Sequence, residues 1–185
     1  RTSIQYASVD YPLTKILVTS AMPGEGKTTV ASNLSIVLAQ GGKKVSFLDT
    51  DMRRPRLHQQ MQVANRRGLT SLFVGEEFNL DSAFRPTKIK GLTVLTSGNL
   101  PPNPAELLGS DRMYRILSEI ESRSDVIVLD SSPIVAVTDA VILSKHVDGV
   151  LLVVQPGKTK ITAIKRAIDQ LQRVGANLIG VVMNN

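Results

Sequence analysis

The sequence predicts an α/β domain with a mostly parallel sheet covered by helices on both faces. Three observations predict it. Short apolar runs without polar alternation recur along the chain, as in Val126 to Leu129 and Val150 to Val154. Amphipathic or helix-forming stretches separate them, and strands that read as continuous apolar runs are those buried on both faces of a parallel sheet. The first strand also feeds directly into a glycine-containing loop and a helix, the order in which such folds build ligand sites.

In order, Lys15 to Thr19 reads as a buried strand, and Lys27 to Gln40 as a helix ended by Gly41-Gly42. Val45 to Leu48 is a second strand. From about Arg53 to Phe84 the chain is polar, basic and irregular, with short helical pieces near Leu69 to Val74 and Asp81 to Phe84. Leu92 to Thr96 forms a further strand, and the proline-rich Leu100 to Pro104 an ordered loop rather than a helix. Asp111 is placed to cap a helix running to about Ser122. Strand Asp125 to Leu129, helix Asp139 to Lys145, strand Gly149 to Val154, helix Thr159 to Val174 and strand Leu178 to Met183 follow.

The 185 residues suffice for one compact core and are too few for two full enzyme domains, so residues 1–185 are expected to form a single domain. No apolar run approaches the roughly 20 residues that cross a bilayer, and the N-terminus lacks the pattern of a secretory signal. The absence of cysteine excludes disulfide, thiolate and cysteine-zinc chemistry. A net charge of +6 could attract polyanions. With only 4% aromatics and no nucleic-acid signature among the basic residues, the composition argues instead for a phosphate-handling surface or a solvated face. Lys158, Lys160, Lys165 and Arg166 are expected on an exposed face without chemistry, and His58 and His146 show no partner spacing.

Three motifs carry chemistry. The string Ala21-Met22-Pro23-Gly24-Glu25-Gly26-Lys27-Thr28-Thr29 lies between a strand and a helix. Gly24 and Gly26 let the backbone bend so that N–H groups and the helix N-terminus face phosphate oxygens. Lys27 then reaches the outer phosphates and the Thr28 hydroxyl ligates Mg²⁺, the arrangement of a P-loop NTPase binding ATP. The alternative is a glycine turn capping a helix, with Lys27 merely exposed. Ala21 stands where the first glycine is usual, a small change in the turn.

The second motif, Val45 to Asp51, is an apolar strand ending in Asp49 and Asp51, which share a parity and so project the same way on an extended chain. These acids could hold Mg²⁺ or accept a hydroxyl proton; alternatively they cap the following turn or pair with Arg53, Arg54 and Arg56. The third motif, Val126 to Asp130, is a hydrophobic strand ending in a lone acid, with Asp130 placed to orient Mg²⁺ or its water.

Together the motifs resemble the bacterial tyrosine kinases that control exopolysaccharide and capsule export, a family related to septum-site and partition ATPases. The resemblance covers nearly the whole chain. It rests on the phosphate loop, on Asp49-Thr50-Asp51-Met52-Arg53-Arg54-Pro55 and on Gly98-Asn99-Leu100-Pro101-Pro102-Asn103-Pro104-Ala105-Glu106-Leu107-Leu108, with Asp148-Gly149-Val150 and Gly180 to Asn184 also fitting. The partition ATPases carry an extra lysine early in the loop, where this chain has Met22.

The resemblance implies an ATP- and Mg²⁺-dependent protein tyrosine kinase acting in trans within a homo-oligomer, a ring being one form it takes. A non-kinase ATP-switched assembly scaffold is the alternative. Lys27, Asp49, Asp51 and Asp130 would be catalytic, with the acceptor hydroxyl approaching Asp49. Thr28, Asp51 and Asp130 would serve the metal, and Pro23, Gly24, Glu25, Gly26, Lys27, Thr28, Thr29 and Asn184 the nucleotide, Asn184 at adenine. Implied partners are a membrane polysaccharide co-polymerase, fused or separate, and a tyrosine-containing protein, at the cytoplasmic face of the membrane. The family's terminal tyrosine cluster and its Glu-x-x-Arg-x-x-Arg helix are not found between Arg1 and Asn185, as expected of a trimmed domain. The tyrosines are Tyr6, Tyr11 and Tyr114.

Overall fold

The computed structural model describes residues 13–74 and 79–185. Its seven strands are β1 (Lys15–Ser20), β2 (Val45–Asp49), β3 (Arg85–Pro86), β4 (Leu92–Leu95), β5 (Val126–Asp130), β6 (Gly149–Val154) and β7 (Leu178–Met183). They form one sheet in the order β3-β4-β2-β5-β1-β6-β7, parallel throughout except for the short antiparallel β3 at one edge. The α-helices are α1 (Lys27–Gln40), α2 (Leu57–Gln60), α3 (Leu80–Ala83), α4 (Pro104–Leu108), α5 (Asp111–Glu121), α6 (Asp139–Leu143) and α7 (Ile161–Arg173), with 3₁₀ turns at Leu69–Phe73 and Ser144–His146.

The period-2 geometry of a strand explains why the apolar runs do not alternate with polar residues. Leu17, Leu48, Leu95, Ile127, Leu129 and Leu152 point into a core shared with α5, α6 and α7. Their neighbours Ile16, Val18, Phe47, Val94, Val128 and Val153 point into a second core on the α1 side. Both faces are therefore buried, at roughly 1.5–3 kcal/mol for each fully buried large apolar side chain.

Helix α1 turns a face of small residues to the interior, Thr28, Ala31, Ser32, Ser35 and Ala39, which allows a close approach to the sheet. Ser35 Oγ is satisfied by donating to the Ala31 carbonyl at 2.8 Å. The helix start is thereby fixed against the C-terminal ends of the central strands.

Four sequence expectations need correction. Ser110 rather than Asp111 caps α5: its backbone is extended and its Oγ accepts from the Met113 N–H at 3.2 Å, while Asp111 lies in the first helical turn. The last long helix begins at Ile161, not Thr159, because the Thr159 hydroxyl accepts from the Gln155 N–H at 2.8 Å and donates to Glu25. Helix α2 also interrupts the stretch read as irregular. Of the stretch Leu100 to Pro104 read as loop, Leu100 to Asn103 is loop, but Pro104 opens α4, where its missing N–H and fixed φ suit the first helical turn. The four basic residues at 158, 160, 165 and 166 are exposed.

Candidate active site

The C-terminal ends of β1, β5 and β2 lie side by side in the sheet and converge on one cleft of about 800 Å³. From β1 come Pro23, Gly24, Gly26, Lys27, Thr28 and Thr29; from β5, Ser132, Pro133, Ala136 and Val137; from β2, Asp51, Arg53, Arg54, Arg56, Gln59 and Gln60. Each group lies in the segment that follows a buried strand, including the start of α1 and the end of α2, so the rigid sheet sets the spacing of three separate sequence segments.

Gly24 and Gly26 adopt φ of 85° and 82°, conformations that favour glycine. A Cβ on Gly26 would lie 2.1 Å from Asn184 Nδ2, so that position is closed to side chains on two counts. Glu25 is buried and takes no part in lining the cleft. Its Oε2 accepts from the Met22 N–H at 2.8 Å and its Oε1 from the Thr159 hydroxyl. Its carbonyl accepts from Asn184 Nδ2 at 3.0 Å. The loop is thus braced from the β6–α7 turn and from the end of β7.

Under the loop, Lys27 Nζ stands 3.0 Å from Asp51 Oδ2 and 3.5 Å from Asp130 Oδ1. Thr28 Oγ1 donates to Asp130 Oδ2 at 2.6 Å. Burial lowers the Lys27 pKa, but Asp130 and Asp51 together outweigh it and hold the ammonium charged. Burial pushes Asp130 up to about 6 against the opposing pull of Lys27 and the Thr28 hydroxyl. For Asp51 burial is again the largest influence, yet Lys27 and the Arg54 N–H overcome it and bring the pKa below the usual carboxylate range.

Asp49 is placed differently from Asp51. Strand β2 ends at Asp49, the chain turns, and the shared parity of an extended segment no longer applies. Asp49 is fully buried beneath the cleft, opposite Asp130 in the strand register. Its Oδ1 accepts from the Asp51 N–H at 3.2 Å and its Oδ2 from the Leu57 N–H at 3.1 Å. Burial, then the Asp130 charge, raises its pKa well above the ordinary value. The resemblance assigns the acceptor approach to Asp49; in the structure Asp51 is the carboxylate that lines the cleft, and Asp49 accepts hydrogen bonds from the turn that carries it.

Other residues were not singled out from the sequence. Asp139, fully buried at the start of α6, receives a two-pronged hydrogen bond from Arg53 Nε and the second guanidinium nitrogen at 2.8 and 3.0 Å. Ser132 Oγ donates to Asp51 Oδ1 at 2.9 Å and lies 3.5 Å from Asp139 Oδ2. Thr159 braces Glu25. None of these lies in a recognisable motif, because each meets the site only through tertiary contact. Asn184 likewise meets the loop backbone, outside the cleft lining. His58 is half-buried in α2, and His146 packs its ring 6.3 Å from that of exposed Tyr114. Tyr6 and Tyr11 lie outside the described residues.

The donor set suits a hydrated Mg²⁺ ion. Thr28 offers a hydroxyl, Asp51 and Asp130 offer carboxylates, and Asp130 Oδ1 is buried without a hydrogen-bond donor. These are hard oxygen ligands, and Mg²⁺ commonly uses one or two carboxylates with waters and substrate phosphates. No group of three or more His, Cys, Asp or Glu residues able to hold a metal occurs among the described residues.

Comparison with known proteins fits this geometry. Residues 13–185 match the family described as "ParA: NUBPL iron-transfer P-loop NTPase". Tyrosine-protein kinase YwqD of Bacillus subtilis is 42% identical over 184 residues, covering all of this chain and 77% of that protein. The chain belongs to the bacterial tyrosine-protein kinases. Other members of the family include the putative tyrosine-protein kinase CapB of Staphylococcus aureus, 33% identical, of which the chain covers 80%. Tyrosine-protein kinase etk of Escherichia coli is 34% identical, but the chain spans only 25% of it. Among solved structures, the kinase domain of Escherichia coli ETK superposes with a TM-score of 0.93 at 33% identity, covering all of this chain and 72% of that one. A septum site-determining protein MinD from Pyrococcus horikoshii, complexed with Mg-ADP, shares the fold at a TM-score of 0.75 and 21% identity.

Proposed function

We propose that this tyrosine-kinase domain binds MgATP in the cleft and transfers the γ-phosphoryl group to a protein tyrosine in trans. The supporting observation is the convergence of Lys27, Thr28, Asp51 and Asp130 beneath a phosphate loop whose glycines have the required left-handed backbone. Phosphoryl transfer demands chiefly positioning and neutralisation of oxygen charge, and this cluster supplies both.

Lys27, freed from its carboxylates by the incoming phosphates, takes the charge of the outer phosphate oxygens. Thr28 and Asp130 would hold Mg²⁺, with Asp51 beside them facing the acceptor, and the ion would neutralise phosphate charge. Asp51, on the cleft wall, accepts the proton of the attacking tyrosine hydroxyl as the new oxygen–phosphorus bond forms, and ADP leaves with the electrons of the broken bond. Arg53, Asp139 and Ser132 keep Asp51 in place. Asp49 is assigned a positioning role beneath the reaction, and Asn184 the bracing of the loop. The family context supports a role in exopolysaccharide or capsule synthesis, a homo-oligomer, and an activating membrane partner at the inner membrane face. Among the described residues no helix is long and apolar enough to cross a membrane.

The test is autophosphorylation followed by mass spectrometry. The 185-residue chain is expected to bind MgADP and MgATP yet phosphorylate itself poorly, because productive attack needs a hydroxyl within about 3–3.5 Å of phosphorus and Tyr114 is fixed within helix α5 rather than on an extended segment able to enter a neighbour's cleft. Joining it to an activator segment and a tyrosine-rich tail is expected to restore the reaction. No phosphotyrosine in the joined protein would favour the ATP-switched scaffold instead.

A further inference from the structure

The cleft has two unlike walls. The β1 wall carries the phosphate loop; the β2 wall carries Arg54, Arg56, Gln59 and Gln60. Strand β5 lies between β1 and β2, so the bases of the two walls stand two strand spacings apart, about 10 Å. Lys27 and Asp51 meet between them at 3.0 Å. A phosphate chain cradled by the β1 loop would run along the floor beside Lys27 and Asp51, and of the other cleft-lining residues those that follow β2 carry the free charge, whereas those that follow β5 are Ser132, Pro133, Ala136 and Val137.

The charges on that wall are not balanced. Lys27 faces Asp51 and Asp130, and Arg53 is held by Asp139. Arg54 and Arg56 are both exposed, and neither side chain has an ion pair or hydrogen bond among the described residues. The backbone beneath Arg54 is nonetheless fixed, since the Arg54 N–H donates to Asp51 Oδ1 at 3.0 Å. Two unpaired guanidinium groups therefore project from an anchored turn beside the acceptor side of the cleft. Guanidinium groups pair with carboxylates in strong two-pronged geometry.

We infer that Arg54 and Arg56 select the protein substrate: they recognise acidic side chains flanking the acceptor tyrosine. This rests on the kinase reading and names the substrate class it takes. Carboxylates on either side of the tyrosine neutralise the arginines and hold the hydroxyl toward Asp51, whereas a lysine-flanked tyrosine is repelled. The nucleotide, held by the opposite wall, does not need them.

The test is fluorescence anisotropy with labelled peptides, each carrying one tyrosine flanked by three glutamates, glutamines or lysines on both sides, added to the chain loaded with MgADP. The glutamate peptide is expected to bind at least about tenfold tighter than the glutamine peptide, with the advantage shrinking as salt screens the charges. The double variant Arg54→Ser, Arg56→Ser is expected to lose that advantage while its MgADP affinity stays within about twofold, and Arg54→Glu, Arg56→Glu to prefer the lysine peptide. These side chains are exposed, so thermal melting should confirm intact folding in both. Absence of any preference in the unmodified chain would overturn the proposal. A parallel loss of MgADP affinity in the serine variant would also overturn it, by making the arginines nucleotide ligands. If Lys27→Met bound MgADP as tightly as the unmodified chain, the kinase reading itself would fail and this proposal with it.

Discussion

Replacing Asp130 by asparagine should make the nucleotide-free protein more stable at neutral pH while impairing its metal-dependent binding. The Asp130 carboxyl is fully buried, and burial pushes its pKa up to about 6 even with Lys27 3.5 Å away. Relative to an ordinary aspartate near 3.9, that displacement costs the charged form about 3 kcal/mol. Because the folded state binds the proton more tightly than the unfolded state, the stabilising contribution of the protonated group is complete below about pH 3.9. It is lost as pH rises through about 6. The penalty is about 1–2 kcal/mol at pH 5 and about 3 kcal/mol at pH 7.5. Asparagine carries no such penalty, but its amide N–H₂ would face the Lys27 ammonium without an acceptor, at about 1–2 kcal/mol. The expected balance is near zero at pH 5 and about 1–2 kcal/mol in favour of Asp130→Asn at pH 7.5, or roughly 2–8 °C in Tm for a domain of this size. Urea and thermal unfolding in EDTA without nucleotide measure it. The same variant should lose more of the stabilisation supplied by ADP with Mg²⁺ than of that supplied by ADP with EDTA. A variant less stable at pH 7.5, or one whose advantage is the same at both pH values, would refute the reasoning.

Further expectations follow from the loop and its braces. Lys27→Met should abolish MgATP binding and phosphotransfer, since Lys27 is the ammonium aimed between the loop and the two carboxylates; isothermal titration and radiolabelled ATP assays check both. Gly26→Ala forces a side chain into a backbone at φ 82° and a Cβ to 2.1 Å from Asn184 Nδ2, and should cost about 1–3 kcal/mol in urea unfolding. Thr159→Val removes the hydroxyl that joins Glu25 to the Gln155 N–H and should cost about 1–2 kcal/mol. Thr159→Ser should restore most of that, which separates loss of the hydroxyl from loss of packing.

The sequence carried the architecture because both ingredients of a parallel sheet are local. Apolar runs such as Val126 to Leu129 and Val150 to Val154 show no alternation, since each residue faces one of two buried layers. The phosphate loop was legible for a similar reason: Gly24, Gly26, Lys27 and Thr28 act through a contiguous backbone turn, so their spacing contains their geometry. Asp130 was legible because its strand ends there, and it lies directly opposite Asp49 in the register of the neighbouring strand.

Tertiary structure alone decided what Asp49 and Asp51 do. Residues two apart share a face only while the chain stays extended, and the turn after Asp49 sends one carboxylate under the cleft and the other into its wall beside Lys27. Glu25 lies inside the loop motif, yet its side chain is buried and anchored by Thr159, which stands 134 positions along the chain. Asp139 and Ser132 became part of the site because β5 returns between β1 and β2 and delivers its loop to Asp51 and Arg53. Those contacts depend on strand order, and strand order is set by how the two cores are filled together, a property of the whole chain that no short segment contains.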